Sequence, residues 1–391
     1  MGANQSDRQA SVRAVTGTAY SYEGDWHALF TMRGIAAGSF NERLLGWINL
    51  QLGAAYTELN GAMAAFAKAQ GAPDWNGLGA FIAAVPVAQT DFLGASPSLP
   101  AWLSLSRADA SPIATYRNAS GLVTTVASAG DTRFDRDYAG AMIGLLLEPA
   151  RTNVQLNSDT ASGWTATRAT LTANALVAPS GATVMSNVVS DATASATHVL
   201  AKSATITSGS RYALSAYARQ SGPYAWLGAT LSATPFGSAQ YGSWNLAGAG
   251  ALGTFVNGSV GSIERAANSA YRVGLVTGAA AGSTGSYNTI LNLQQADAVS
   301  TFNGDSATAA GLWGVQLEAG AYPTSYIATG ASAVTRAADV LTMTGYTTNT
   351  IVTQEKSVAS GAVVTNTYAG SAAFNAAMSG PGIWLQKVTI Y

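Results

Sequence analysis

Apolar and polar positions alternate across residues 312–318, with Trp313, Val315 and Leu317 set against Leu312, Gly314, Gln316 and Glu318. A period of two predicts a strand with one buried face. Ala319-Gly320 ends it, and Pro323, which has no N–H for a ladder, forbids its continuation as a central strand. The clearest strand covers 211–219: Tyr212, Leu214, Ala216 and Ala218 are expected inward, and Ser215, Tyr217 and Arg219 outward. Shorter β-prone runs recur at 175–177, 183–189, 198–200, 204–207, 224–231, 271–277 and 290–293, separated by Gly or Ser clusters. That spacing predicts a mainly β chain whose main domain, residues 145–341, is a β-sandwich or jelly roll.

Helical periodicity is confined to residues 20–72. Trp26, Leu29, Phe30 and Arg33 make one short face. Ser39 and Glu42 are spaced as a capping box, and the helix they open carries Phe40, Leu44, Ile48 and Leu52 on one stripe. A third helix presents Tyr56, Leu59, Met63 and Phe66 before Gly71-Ala72-Pro73 stops it. Three short helices bury little area, so residues 1–95 are expected to be a helical region and linker that leans on another subunit or partner. Residues 96–144 alternate turn residues with short β-prone runs, as a lead-in. Residues 342–391 predict a small β meander that ends in a strand and packs back on 100–140.

Composition narrows the classes. The 391 residues suffice for two or three cores, and 10% charge with 42 glycines suits tight β turns. A net charge of −1 and the lack of any basic cluster interleaved with aromatics argue against nucleic acid as partner. No run of about 18 apolar residues occurs, so no membrane insertion is expected. The absence of cysteine excludes disulfides and thiolate metal sites.

Two stretches resemble a known family. Residues 316–340, QLEAGAYPTSYIATGASAVTRAADV, and residues 144–153, GLLLEPARTN, resemble the closing and opening signatures of a carbohydrate-binding-like jelly roll found in spike and fibre proteins of tailed bacteriophages. Tyr212-Ala213-Leu214-Ser215 and Tyr271-Arg272 are similar to inner strands of that family, although Ala270 stands where it usually has Trp. The resemblance implies a virion structural protein of a phage or phage-like particle, assembled in the bacterial cytoplasm and exposed on the particle surface. It implies attachment to other virion proteins through the N-terminal region, contact with host cell-surface polysaccharide, and a homo-oligomer, a trimer being the usual form of spikes.

Candidate chemistry is sparse. No phosphate-binding loop, His-Glu-x-x-His zinc motif or Gly-x-Ser-x-Gly elbow is present, and neither an enzyme nor a cofactor is expected. His27 and His198 have no partner pattern around them. Glu148 and Glu318, carried by the two signature stretches, are expected to be neighbours and to pair with arginines such as Arg151 or Arg336. Arg336 and Asp339 are spaced to pair with each other. Asp131, Asp135 and Asp137 offer oxygens to a calcium ion, without EF-hand spacing. Sugar binding calls for aromatic rings beside polar groups. Tyr224, Trp226, Tyr241 and Trp244, on the 224–231 strand and the loop after it, form the candidate glycan-binding group. The competing reading is that these rings are core, and Trp164 and Trp313 are expected to be packed. Three functions stand: a host-glycan adhesin, a purely architectural decoration subunit of the head, neck or tail, and a polysaccharide depolymerase.

Overall fold

A computed structural model describes residues 88–391 apart from Ser162, together with Leu45. The helices expected over 20–72 lie outside the described residues except for Leu45, which is helical; His27 also lies outside them. The described chain is mainly β, built of antiparallel sheets with two short helices, Ala233–Phe236 and Gly370–Ala377.

Eight strands build the larger unit: β1 (Met185–Ser190), β2 (Val199–Ile206), β3 (Arg211–Gln220), β4 (Trp226–Leu231), β5 (Gln240–Asn245), β6 (Tyr271–Ala279), β7 (Gly285–Gln294) and β8 (Ala309–Ala319). One sheet runs β6-β3-β8-β1 and the other β5-β4-β7-β2. The first strand pairs with the eighth, the second with the seventh, the third with the sixth and the fourth with the fifth. A long hairpin rolled over itself gives this nesting, which defines a jelly roll. Each sheet gains two further strands. Ala251–Val256 and Val260–Arg265, joined at Asn257-Gly258, extend opposite sheets along one edge, and Thr165–Thr167 and Ala169–Leu176 do the same at the other. Leu214, Leu227, Trp244, Leu291 and Leu317 meet between the sheets.

The one-sided burial expected of β3 and β8 is corrected by the structure. Both strands are buried on both faces along most of their length. Tyr217 and Trp313, on the outer face, pack with Tyr326, Val123 and Ala270 in a separate cluster that caps this sheet. Tyr217 and Trp313 ring centres lie 5.2 Å apart, and Trp313 and Tyr326 4.7 Å. Gly314 makes this layering possible. Its φ is +62°, and the pairing of β3 with β8 shifts register there. A Cβ on Gly314 would lie 3.0 Å from the Tyr217 ring. Gly314→Ala is therefore expected to lower stability by about 1–3 kcal/mol, measured by denaturant unfolding.

A second sheet gathers strands from both ends of the described chain. Ile383–Ile390 pairs with Thr350–Ser357 on one side, and with Met142–Leu147 and Ala88–Asp91 on the other. The Met142–Leu147 strand, whose sequence resembles the opening of the jelly roll, thus sits in this sheet, and the C-terminal residues do pack back on the lead-in. Phe92, Leu145, Leu147, Leu341, Phe374 and Leu385 form its core.

Candidate functional site

Alternation along β4, β5 and β7 decides which side chains leave the sandwich. Leu227, Ala229 and Leu231 enter the core, so Trp226, Gly228 and Thr230 face out. Directly across from them lie Gln294, Asn292 and Ile290 on β7, and Asn245, Ser243 and Tyr241 on β5. The face is therefore a polar strip with two aromatic rings.

Trp226 and Tyr241 are each half-buried. Between them Gly228 leaves a gap: a Cβ there would lie 2.3 Å from the Gln294 amide nitrogen. Gln294 fills that space and donates a 2.6 Å bond to the Tyr241 hydroxyl. The side-chain oxygens of Gln294 and Asn292 are buried without a hydrogen-bond partner among the described residues. Unpaired buried amide oxygens are costly; Gln294 is fully covered by its neighbours, and only Asn292, 8% exposed, keeps an edge toward solvent. Beside them, Asp297 accepts bonds from Ser243 Oγ (2.7 Å), Thr254 N–H (2.8 Å) and Thr254 Oγ1 (2.9 Å). Burial works to raise its carboxyl, but these bonds prevail and hold it below the usual range. Asp297 thus pins the Ala251–Val256 strand against the strip, close to the Trp226 ring. Of the side chains just named, it alone is charged.

Trp244 is corrected. It stands three residues from Tyr241 on the same strand, which turns it to the opposite face. It is 1% exposed, sits edge-on to Phe255 at 5.5 Å and donates its indole N–H to the Ser262 carbonyl. No ligand reaches it. Tyr241 and Trp244 also lie in a strand, not the loop expected after β4. Tyr224 precedes β4, half-buried, and its hydroxyl accepts a 2.7 Å bond from Gln295. Trp164 and Trp313 are packed, as expected. The strip thus keeps Trp226 and Tyr241, with Tyr224 at its end. Sequence reasoning missed Asn292, Gln294, Ser243 and Asp297, although Leu291-Asn292-Leu293-Gln294 carries the alternation that reveals the first two.

The carboxylates of the two signature stretches serve a different purpose. Glu148 is sealed in a buried clasp, where Arg133 Nη1 and Arg336 Nη1 donate to Oε2 at 2.7 and 2.8 Å and the Ser325 N–H to Oε1 at 2.7 Å. Arg336 and Asp339 do not pair with each other. Asp339 instead takes bonds from Arg133 and from Arg107 (2.8 Å), because the turn after Arg336 sends the two side chains to different partners. Burial alone would raise Glu148, but Arg336 and Arg133 outweigh it and hold its carboxyl down to about 2. Glu318 meets only Arg151, at 3.9 Å, and burial pushes its carboxyl up. It is satisfied by Gln316 and Thr324. Thr324 and Ser325 join the two glutamates through consecutive N–H groups. Both carboxylates are closed off from solvent, so neither can flank a substrate.

His198 is fully buried, donating to the Arg168 carbonyl and packed on Phe302. Asp131 and Asp137 accept bonds from N–H groups of their own loops, and Asp135 is held by Arg117 and Trp384. The three do not converge, and no group of three His, Asp or Glu among the described residues is placed to hold a metal ion. In comparisons with known proteins, the chain matches no protein-family model and no curated protein.

Proposed function

We propose that this chain is a virion structural protein, a spike or fibre subunit of a tailed phage or phage-like particle, whose jelly roll binds host surface glycans on the outer face of the β5-β4-β7-β2 sheet. The observation that carries the reading is the presence of two half-buried rings, Trp226 and Tyr241, on one face of the sheet beside the partly exposed polar side chains Thr230 and Asn245. Sugars offer an apolar ring face and a fringe of hydroxyls, and this strip offers a complement to each. The two signature stretches support the virion assignment, and the glycan assignment rests on the strip. With Asp297 as its nearest charge, the strip suits neutral sugars better than acidic ones, since a carboxylate repels another.

The test uses labelled protein on bacterial cells with and without their surface polysaccharide. Saturable binding lost with the polysaccharide is expected. Trp226→Ala combined with Tyr241→Ala should weaken it about 10- to 100-fold, the effect of losing two stacking rings. Binding by the double variant equal to the parent would remove the strip from consideration.

A second reading, an architectural subunit without glycan affinity, draws on exposed apolar positions at strand edges. Val260 is 65% exposed, and Val363 and Val364 about half exposed on an outermost strand of the second sheet. Such edges suit contact with a neighbouring subunit. It predicts no binding to cells under any condition.

A further inference from the structure

On the opposite side of the sandwich from the strip, a cleft of about 320 Å3 separates the capped sheet from the lead-in strands. Four arginines line it: Arg117, Arg211, Arg265 and Arg272. Arg117 is matched by Asp135 at 3.1 Å and by Glu264. Among the described residues no carboxylate lies within 4.0 Å of the other three. Arg265 is occupied with the Gly248 carbonyl and the Tyr138 ring.

Arg272 is different. It is half-buried, lies 5.7 Å over the Tyr217 ring and donates through Nη2 to the Thr324 carbonyl and Ser215 Oγ. Its Nε is buried without a partner, and its Nη1 makes no hydrogen bond among the described residues. A half-buried guanidinium with no carboxylate within 4.0 Å has donors left for an anionic ligand. Arg117 lines the same cleft from the lead-in side, so two guanidinium groups face it, with Asp135 and Glu264 beside Arg117. Its walls include the rings of Tyr322 and Trp384, and the Trp384 indole is fixed by a 2.9 Å bond to Asp135.

We propose that this cleft is a second binding site, for a carboxylate-bearing sugar such as a uronic acid. The planar guanidinium of Arg272 recognises the carboxylate, and the aromatic walls take the ring. Glu264, whose side chain is 52% exposed at the rim, is a built-in competitor: by holding Arg117 it occupies a cation the ligand would otherwise use. The neutral strip on the far sheet and this cationic cleft would then read different residues of one heteropolysaccharide.

Calorimetric titration of the full chain with trigalacturonate, its neutral galactose counterpart and a short oligoglutamate peptide tests the proposal. Trigalacturonate is expected to bind and the neutral sugar not to bind at this site. Arg272→Gln should weaken binding about tenfold or more, as loss of a desolvated charge partner does. Glu264→Gln should tighten it about threefold by freeing Arg117. The Trp226/Tyr241 double variant should bind trigalacturonate unchanged, which separates this site from the strip. Absence of trigalacturonate binding, weaker binding by Glu264→Gln, or a preference for oligoglutamate would each overturn the proposal. Should Arg272→Gln fail to fold, the rim variant still decides: Glu264→Gln should tighten trigalacturonate and not oligoglutamate, and equal tightening of both would be a general charge effect that overturns the proposal.

Discussion

Glu148→Gln is expected to cost about 3–5 kcal/mol of stability, read from denaturant unfolding, although it changes one atom. The amide would still fit between Arg133 and Arg336, but two buried guanidinium groups would lose the anion they share. Asp339 would remain to Arg133 alone. Acid should act in the same way. The Glu148 carboxyl is held near 2 in the folded chain against an ordinary value of 4.5, so its contribution is complete above about 4.5 and disappears as pH falls toward 2. The amount involved is on the order of 3 kcal/mol. Glu318→Gln provides the contrast. Its carboxyl is already pushed upward and is held mainly by neutral donors, so the amide should cost about 1 kcal/mol or less. Equal losses for the two glutamates would show that the clasp does not work as a charge pair.

Trp244→Ala should be comparably severe, costing about 3–5 kcal/mol, because it opens a cavity in the middle of the sandwich and strands the Ser262 carbonyl. Trp226→Ala, eighteen residues earlier on the neighbouring strand, should cost less than about 1 kcal/mol, because its ring lies on the outer face. The pair separates stability from binding. Parallel melting and cell-binding curves should show Trp244→Ala moving the first and Trp226→Ala moving the second. A large drop in melting temperature for Trp226→Ala would mean that the ring is packed and the strip is core.

What the sequence revealed follows the range of the forces involved. Alternation within β3 was legible because it is local, and the inward set Tyr212, Leu214, Ala216 and Ala218 is the one observed. In β8 the alternation breaks at Gly314, so that Leu312 joins Val315 and Leu317 in the sandwich while Trp313, expected with them, turns to the outer face. That Tyr217 and Ser215 are buried as well was not legible, because the cover comes from distant residues: Val123 and Tyr326 over Tyr217, and Arg272 over Ser215. Arg336 and Asp339 suggested a mutual pair by proximity, yet each finds its partner in a segment roughly two hundred residues upstream. Asn257-Gly258 is one of the strongest short-range hairpin signals, yet the strands it joins, Ala251–Val256 and Val260–Arg265, do not pair with each other and go to opposite sheets. Trp244 shows the limit of counting aromatics: closeness in sequence groups rings, and strand parity divides them.

The pairing of Ile383–Ile390 with strands on both sides has a consequence for how the molecule comes into being. The second sheet needs Ala88–Asp91 and Met142–Leu147 to wait for a central strand made later. More than two hundred residues separate Leu147 from Ile383. At ~5–20 residues per second that is a delay of roughly ten to fifty seconds on the ribosome. During it the jelly roll can close while Met142–Leu147, paired only with Phe134–Arg136, keeps its other edge open. Nascent chains of this protein are therefore expected to pass through a stage in which Leu145 and Leu147, core residues of the finished sheet, still lack their partners Leu385 and Ile383.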